Sequence, residues 1–445
     1  MMVKCMKKRV SNIKRFLMEH KWILLIVLAL FLERFYAGYT LGITYNIKSD
    51  DMSYVQSGIE FANTGRITMH GVLSAQIMPG MPVLLGGLSL VFGEGRMLWF
   101  AMKILWWFMG SLSAFFVYKI VTMFLPKGFG LASTLGFFAV DFVWMDNVIL
   151  TETPFMLCFC IMIYATLMMA NNKNYFWPCA IFYMLALMFK ANIAIYPLFA
   201  MCYLFLKKYD LKIFAKQCVI LASMVLCFVI PWSIRNYIHY DEFIPLTWGS
   251  GNPMLLGTYQ GHGYPLDENL DYVTNVDEVA EEKYQKYYND NGELKEDYLA
   301  KYISLETDGI KAKYRLKEWA KSDLLSLLDS YLIVKPVSMF DDVFYWDTLW
   351  NIDSLEILKL HKLDVWLCVF VIFLSFYLKK YRKEIGFLTF LYVGNIYVYA
   401  MTFAFSRYAA TLMPIRFIIV GIGYYLIICF LRKLLEVVGR EEIIE

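Results

Sequence analysis

Two adjacent carboxylates, Asp50 and Asp51, stand in "YNIKSDDMSY" just beyond the first long apolar run of the chain. Another acid, Glu152, opens a later apolar run. Three cations, Lys190, Arg235 and Arg407, stand at the ends of others, and Arg34 lies deeper, beside Glu33 in the first run. These residue types suit proton transfer beside an anion. A carboxylate in hydrogen-bond reach can take the proton of a weak nucleophile, and a neighbouring like charge strengthens its hold on that proton. Cations fixed in a dry site stabilise negative charge as it develops, and arginine grips phosphate with paired hydrogen bonds. Each residue also has a plain reading. Asp50 and Glu152 suit helix caps, Asp51 a solvated loop acid, and the cations anchors that reach lipid phosphates.

The elements that must position these groups are membrane helices. The chain is 59% hydrophobic and only 18% charged, with a mean hydropathy of +0.49. Apolar runs near 22–42, 97–120, 128–145, 152–171, 175–191, 193–207, 215–232, 363–379, 385–404 and 411–432 read as about ten transmembrane helices. The expected fold is an all-α, polytopic membrane bundle. The net charge of +3 points to no nucleic-acid partner. The nine cysteines avoid the polar loops, which argues against a disulfide framework, and the five histidines form no ligand motif.

Lysine and arginine set the expected topology, because they mark the cytoplasmic side. The basic start "MMVKCMKKRVSNIKRF" lacks a cleavage site after it, so the first run reads as an uncleaved helix rather than a signal peptide. The short segment 79–93 is rich in Gly and Pro. If it lies on the outer surface without crossing, every basic loop after it falls inside. Both termini are then cytoplasmic in a multi-pass protein of the plasma membrane. Three regions follow: an N-terminal transmembrane module, 1–232, with its first outer loop at 43–95; an external segment, 233–361, carrying a small helical insertion; and C-terminal helices, 362–445. The charges cluster at the outer boundary and not at the midplane. That favours surface chemistry over the alternative, a non-catalytic transporter or flippase of lipid-linked glycans.

The ordered motifs resemble the GT-C superfamily of polytopic glycosyltransferases, especially bacterial relatives of protein O-mannosyltransferases and lipid A aminoarabinose transferases. "SDDMSYVQSGIEFANTGRI" is similar to the family's first-loop stretch, with Asp50 on the catalytic aspartate and Asp51 on its acidic neighbour. "PGMPVLLGGLSLVFGEGR" is similar to the juxtamembrane helix. "NVILTETPF" places Glu152, "MFKANIAIYP" places Lys190, "PWSIRNYIHYDEF" places Arg235 and "SRYAATLMP" places Arg407. The chain departs from the pattern at Thr411, which replaces a proline, and at Ser53, where aminoarabinose transferases have arginine. Gln76 stands where some relatives have a metal-binding acid.

The resemblance implies transfer of a sugar from a polyprenyl-phosphate donor to a hydroxyl of a glycan, lipid or protein at the outer face of the lipid bilayer, with inversion at the anomeric carbon. Asp50 is the expected general base, with Asp51 or Glu152 tuning it or orienting the acceptor. Lys190, Arg235, Arg407 and Arg34 are the expected phosphate-binding groups. No cofactor is expected, and a divalent metal stays an open alternative.

Overall fold

The computed structural model describes residues 14–264 and 270–441. The basic N-terminal stretch up to residue 13, with Cys5, lies outside the described residues. Among the described residues, five helices are long and apolar enough to cross a membrane: Lys21–Leu41, Arg96–Val121, Glu152–Met169, Leu211–Tyr240 and Met413–Leu435. Two further long helices, Ser354–Leu378 and Arg382–Ala400, pack with the last of these. Only one small two-stranded ribbon interrupts the helical architecture of the described residues. The chain is a multi-pass, all-α membrane protein.

Several expected crossings are built from shorter pieces. The run 128–145 is a helix Lys127–Ala132, a 3-10 turn Leu135–Phe138 and a helix Val140–Met145. Ser133 and Thr134 cause part of this break. Their hydroxyls donate to Gly130 O and Leu131 O, both at 2.7 Å, in competition with the helical ladder. The pieces still run the length of the bundle. Lys127 Nζ meets Glu19 O at 2.9 Å before the first long helix, and Asn147 Nδ2 meets Arg34 O at 3.3 Å well along it. The next expected pair is Phe176–Phe189, then a 3-10 turn Ala191–Ile195 and a helix Tyr196–Leu206. Lys190, at φ −143° and ψ 120°, is the extended residue at the break.

Segment 79–93 contains a helix, Gly80–Phe92, of 13 residues. At 1.5 Å per residue it is about 20 Å long, short of the roughly 30 Å of hydrocarbon in a bilayer. It packs along the helix Asp50–Thr64 instead. The contact needs glycine on both sides: a Cβ at Gly58 would sit 2.5 Å from Leu85 Cβ, and one at Gly86 would sit 2.8 Å from Phe61 Cδ1. The two helices and the ribbon form a cap over one end of the bundle.

The polar segment after the Leu211–Tyr240 helix contains the helices Leu270–Tyr284 and Tyr298–Ser322. Tyr302 packs against Tyr240, Trp248, Tyr284 and Tyr287 with ring centroids between 5.0 and 6.3 Å apart. Trp232 and Trp248 are buried. They pack inside the protein. Trp346 is half exposed.

Candidate functional site

Asp50 is the first residue of the Asp50–Thr64 helix, and Arg407 lies on the short helix Ser406–Ala410. Arg407 Nη1 donates to Asp50 Oδ2 at 2.8 Å. The same guanidinium donates from Nε and Nη2 to Glu152 Oε1 and Oε2, at 2.7 and 3.2 Å. Lys190 Nζ donates to Glu152 Oε1 at 2.8 Å. Four residues from four separate stretches thus form one ionic cluster of two acids and two cations. Aromatic rings wall it: Lys190 Nζ stands 5.2 Å from the Tyr408 ring centroid and 5.6 Å from that of Phe155, and Arg407 stands 5.9 Å from that of Phe344.

The cluster is graded in exposure. Glu152 is fully buried with both oxygens bonded, whereas the Asp50 side chain keeps 34% of its surface. The Asp50 Oδ1 atom lies away from the guanidinium, towards the ribbon. Burial works against the Arg407 charge. The carboxylates of Glu152 and Asp50 outweigh it, and the guanidinium is held well above its usual range. Burial also pushes the Tyr408 hydroxyl up, against the opposing pull of Arg407.

Asp51 points elsewhere. It is buried, and its carboxylate accepts the backbone amides of Ile47, Ser49 and Met52 at 2.7, 3.0 and 2.9 Å. It therefore folds the loop that delivers Asp50, satisfying amides that would otherwise be orphaned at the helix start.

Arg235 and Arg34 do not join the cluster. Arg235 donates to Ser74 O and Ile67 O at 3.0 and 3.4 Å, and to Asn236 Oδ1 at 2.9 Å, with its guanidinium over the Trp232 ring at 5.1 Å. It clamps the base of the ribbon and lines a separate cavity of about 420 Å³ with Arg66, Trp232 and His239. Arg34 is fully buried and pairs with Asp146 at 2.6 Å; Asp146 in turn accepts the Thr153 hydroxyl at 2.6 Å. This pair ties the first long helix to the start of the Glu152 helix.

Two groups of residues near the cluster were not expected there from the sequence, in which His70 reads as an ordinary loop residue. The first is a polar layer behind the Arg407 helix. Ser406 Oγ donates to Asp342 Oδ2 at 2.8 Å, His361 lies 3.2 Å from Asp141, and Arg416 lies 3.1 Å from Asp364. The second is His70. Strands Thr68–Met69 and Val72–Leu73 are joined by His70 and Gly71, with φ of +54° and +81°. Positive φ at both central residues marks a tight hairpin turn whose twist suits the strands. The turn sets His70 Nδ1 3.0 Å from Ser53 Oγ and His70 Nε2 3.9 Å from Asp50 Oδ1. The dipeptide His-Gly between apolar residues was the available signal.

The fold and the cluster define a helical multi-pass membrane protein with a semi-buried ionic centre under a juxtamembrane cap. No protein-family model and no curated protein matches the chain. Among solved structures, the crystal structures of ArnT from Cupriavidus metallidurans, one bound to undecaprenyl phosphate and one in the apo state, are similar to it. Each has a TM-score of 0.41 and 12% identity, and covers 92% of this chain and 78% of that one. A likeness of that size carries no argument, and the functional reading rests on this chain's own residues.

Proposed function

We propose that this chain is a GT-C-type membrane glycosyltransferase. It moves a sugar from a polyprenyl-phosphate donor to an acceptor hydroxyl at the outer face of the plasma membrane, with inversion at the anomeric carbon and both termini in the cytoplasm. The observation that carries this reading is the Arg407 guanidinium, bonded to Asp50 on one side and Glu152 on the other. It puts a part-exposed carboxylate next to cations suited to a phosphate.

Asp50 is the general base. Arg407 fixes one of its oxygens, and the other, Oδ1, takes the proton of the acceptor hydroxyl as that oxygen attacks the sugar. Lys190 and Arg407 stabilise the departing phosphate. Glu152 holds both cations in place before the donor arrives, so little reorganisation accompanies bond breaking. Asp51 shapes the loop. Arg235 and Arg34 support the cap and the bundle in this scheme. The hydrocarbon chain of the donor stays in lipid, which explains why the cluster sits at one end of a helix bundle.

The test is release of polyprenyl phosphate by the purified protein in lipid nanodiscs, offered a panel of polyprenyl-phosphate sugars and hydroxyl acceptors. Release that requires both donor and acceptor supports the reading. Full donor occupancy with no release in the presence of every acceptor class contradicts it.

A further inference from the structure

We infer that His70 is the second proton carrier of the site, taking from Asp50 the proton that Asp50 removes from the acceptor; this rests on the transferase reading above. Arg407 occupies Asp50 Oδ2, so Oδ1 is the oxygen left to work. His70 Nε2 is 3.9 Å from that atom, too far for a hydrogen bond, and among the described residues no other group bonds that nitrogen. The 3.0 Å contact with Ser53 Oγ suits either tautomer, and the relay uses the one protonated on Nδ1. With the proton on Nδ1, the ring donates to Ser53 Oγ at 3.0 Å, and the Nε2 lone pair faces the ionised carboxylate. Two acceptors hold apart. Once Asp50 Oδ1 carries a proton, the same pair becomes donor and acceptor, and a small side-chain movement closes it.

The step balances. The acceptor O–H bond breaks as its oxygen bonds the anomeric carbon, and the sugar–phosphate bond breaks with its electron pair leaving on the phosphate. The proton goes to Asp50 Oδ1, then to His70 Nε2, and from the part-exposed ring to water. The relay returns Asp50 to its ionised form for the next turnover. His70 suits this task because histidine is the side chain that exchanges protons most readily near neutral pH. The hairpin turn holds it there, with the ring 41% exposed on the solvent side.

Other charged and titratable groups stand on the elements around the ribbon. The Asp50–Thr64 helix presents Asp50, with Arg407 on its far oxygen. The Leu211–Tyr240 helix presents Arg235 and Tyr240 to the ribbon's base, at Ile67, Leu73 and Ser74. The Tyr298–Ser322 helix packs near the second strand and turns Tyr298 and Tyr302 against Tyr240. Arg66 stands beside the first strand.

The experiment has two arms, both on the full chain in nanodiscs. In the first, isotope-labelled histidine is titrated by NMR, and the His70 signal is assigned by its loss in His70→Gln. Replacing Asp50 with Asn should lower the His70 midpoint, because it removes the negative charge 3.9 Å from Nε2. An unmoved midpoint overturns the proposal. In the second, turnover is followed against pH. Wild type should lose activity on the acid side of its profile, because a protonated imidazole accepts nothing. His70→Gln should be about tenfold slower, lack that limb, and recover with added imidazole. Unchanged rate and profile in His70→Gln overturn the relay while leaving the transferase reading intact. Absence of turnover in wild type, with donor bound, overturns the transferase reading and the relay with it.

Discussion

Arg407 reaches both oxygens of Glu152, at 2.7 and 3.2 Å, across 255 residues of sequence. The contact joins a short helix near the end of the chain to the start of a buried helix near its middle. It also leaves one guanidinium nitrogen for Asp50. Removing one partner of a buried ion pair leaves the other uncompensated, which typically costs about 3–5 kcal/mol. Glu152→Gln is therefore expected to lower the thermal midpoint markedly and to weaken donor binding. A double-mutant cycle with Lys190→Met checks this: coupling between the two should be on the order of 1–3 kcal/mol. Strict additivity would mean the observed 2.8 Å contact is energetically idle.

Arg407→Lys keeps the charge and loses the fork. An ammonium on a flexible stem cannot hold two carboxylates in the geometry of a planar guanidinium. Turnover is expected to fall by about a hundredfold, comparable with loss of one preorganised donor, while the protein remains folded by circular dichroism. Steady-state kinetics in lipid measure this directly.

Asp51 and Asp50 are neighbours with different tasks, and mutation should separate them. Asp51→Ala strips the acceptor from three buried or part-buried amides. Hydrogen bonds to a charged group are worth about 1.5–3 kcal/mol each in favourable cases. The loop should loosen, and proteolysis between residues 43 and 50 should become faster than in wild type. Asp50→Asn, in contrast, should leave the protease pattern unchanged.

The ends of apolar runs advertised Asp50, Glu152, Lys190 and Arg407, because a charge beside such a run needs a partner or water. Their convergence was not visible, since the partners lie up to 357 residues apart. Arg235 and Arg34 gave the same signal and went elsewhere. Residue type and helix end do not say which way a long side chain turns: Arg235 found the carbonyls of the ribbon, and Arg34 found Asp146. Hydropathy located the helical membrane bundle correctly and missed the break at Ser133 and Thr134, where hydroxyls compete locally for carbonyls. His70 was hidden for another reason. Its place beside Asp50 depends on a positive φ, and the two-residue strands around it are too short to show alternation.

Lys335 gives a prediction remote from the cluster. It is buried, with Nζ donating to Gly257 O and Thr402 O at 3.1 and 2.8 Å, and burial pushes its amine down to about 7 from 10.5. Between those values the unfolded chain binds more protons at this site than the folded one, so folding stability rises with pH across the window from about 7 to 10.5. Lys335→Met should flatten that rise. Thermal melts of both proteins from pH 7 to 10 check the sign.

The most direct measurement of the central claim is transfer by Asp50→Asn against wild type, with donor binding measured on the same samples. The account expects equal donor binding, since Lys190 and Arg407 are untouched, and a loss of turnover of about 10²–10⁴-fold in the variant. Turnover undiminished in Asp50→Asn, at full donor occupancy, would contradict it and remove Asp50 from the chemistry.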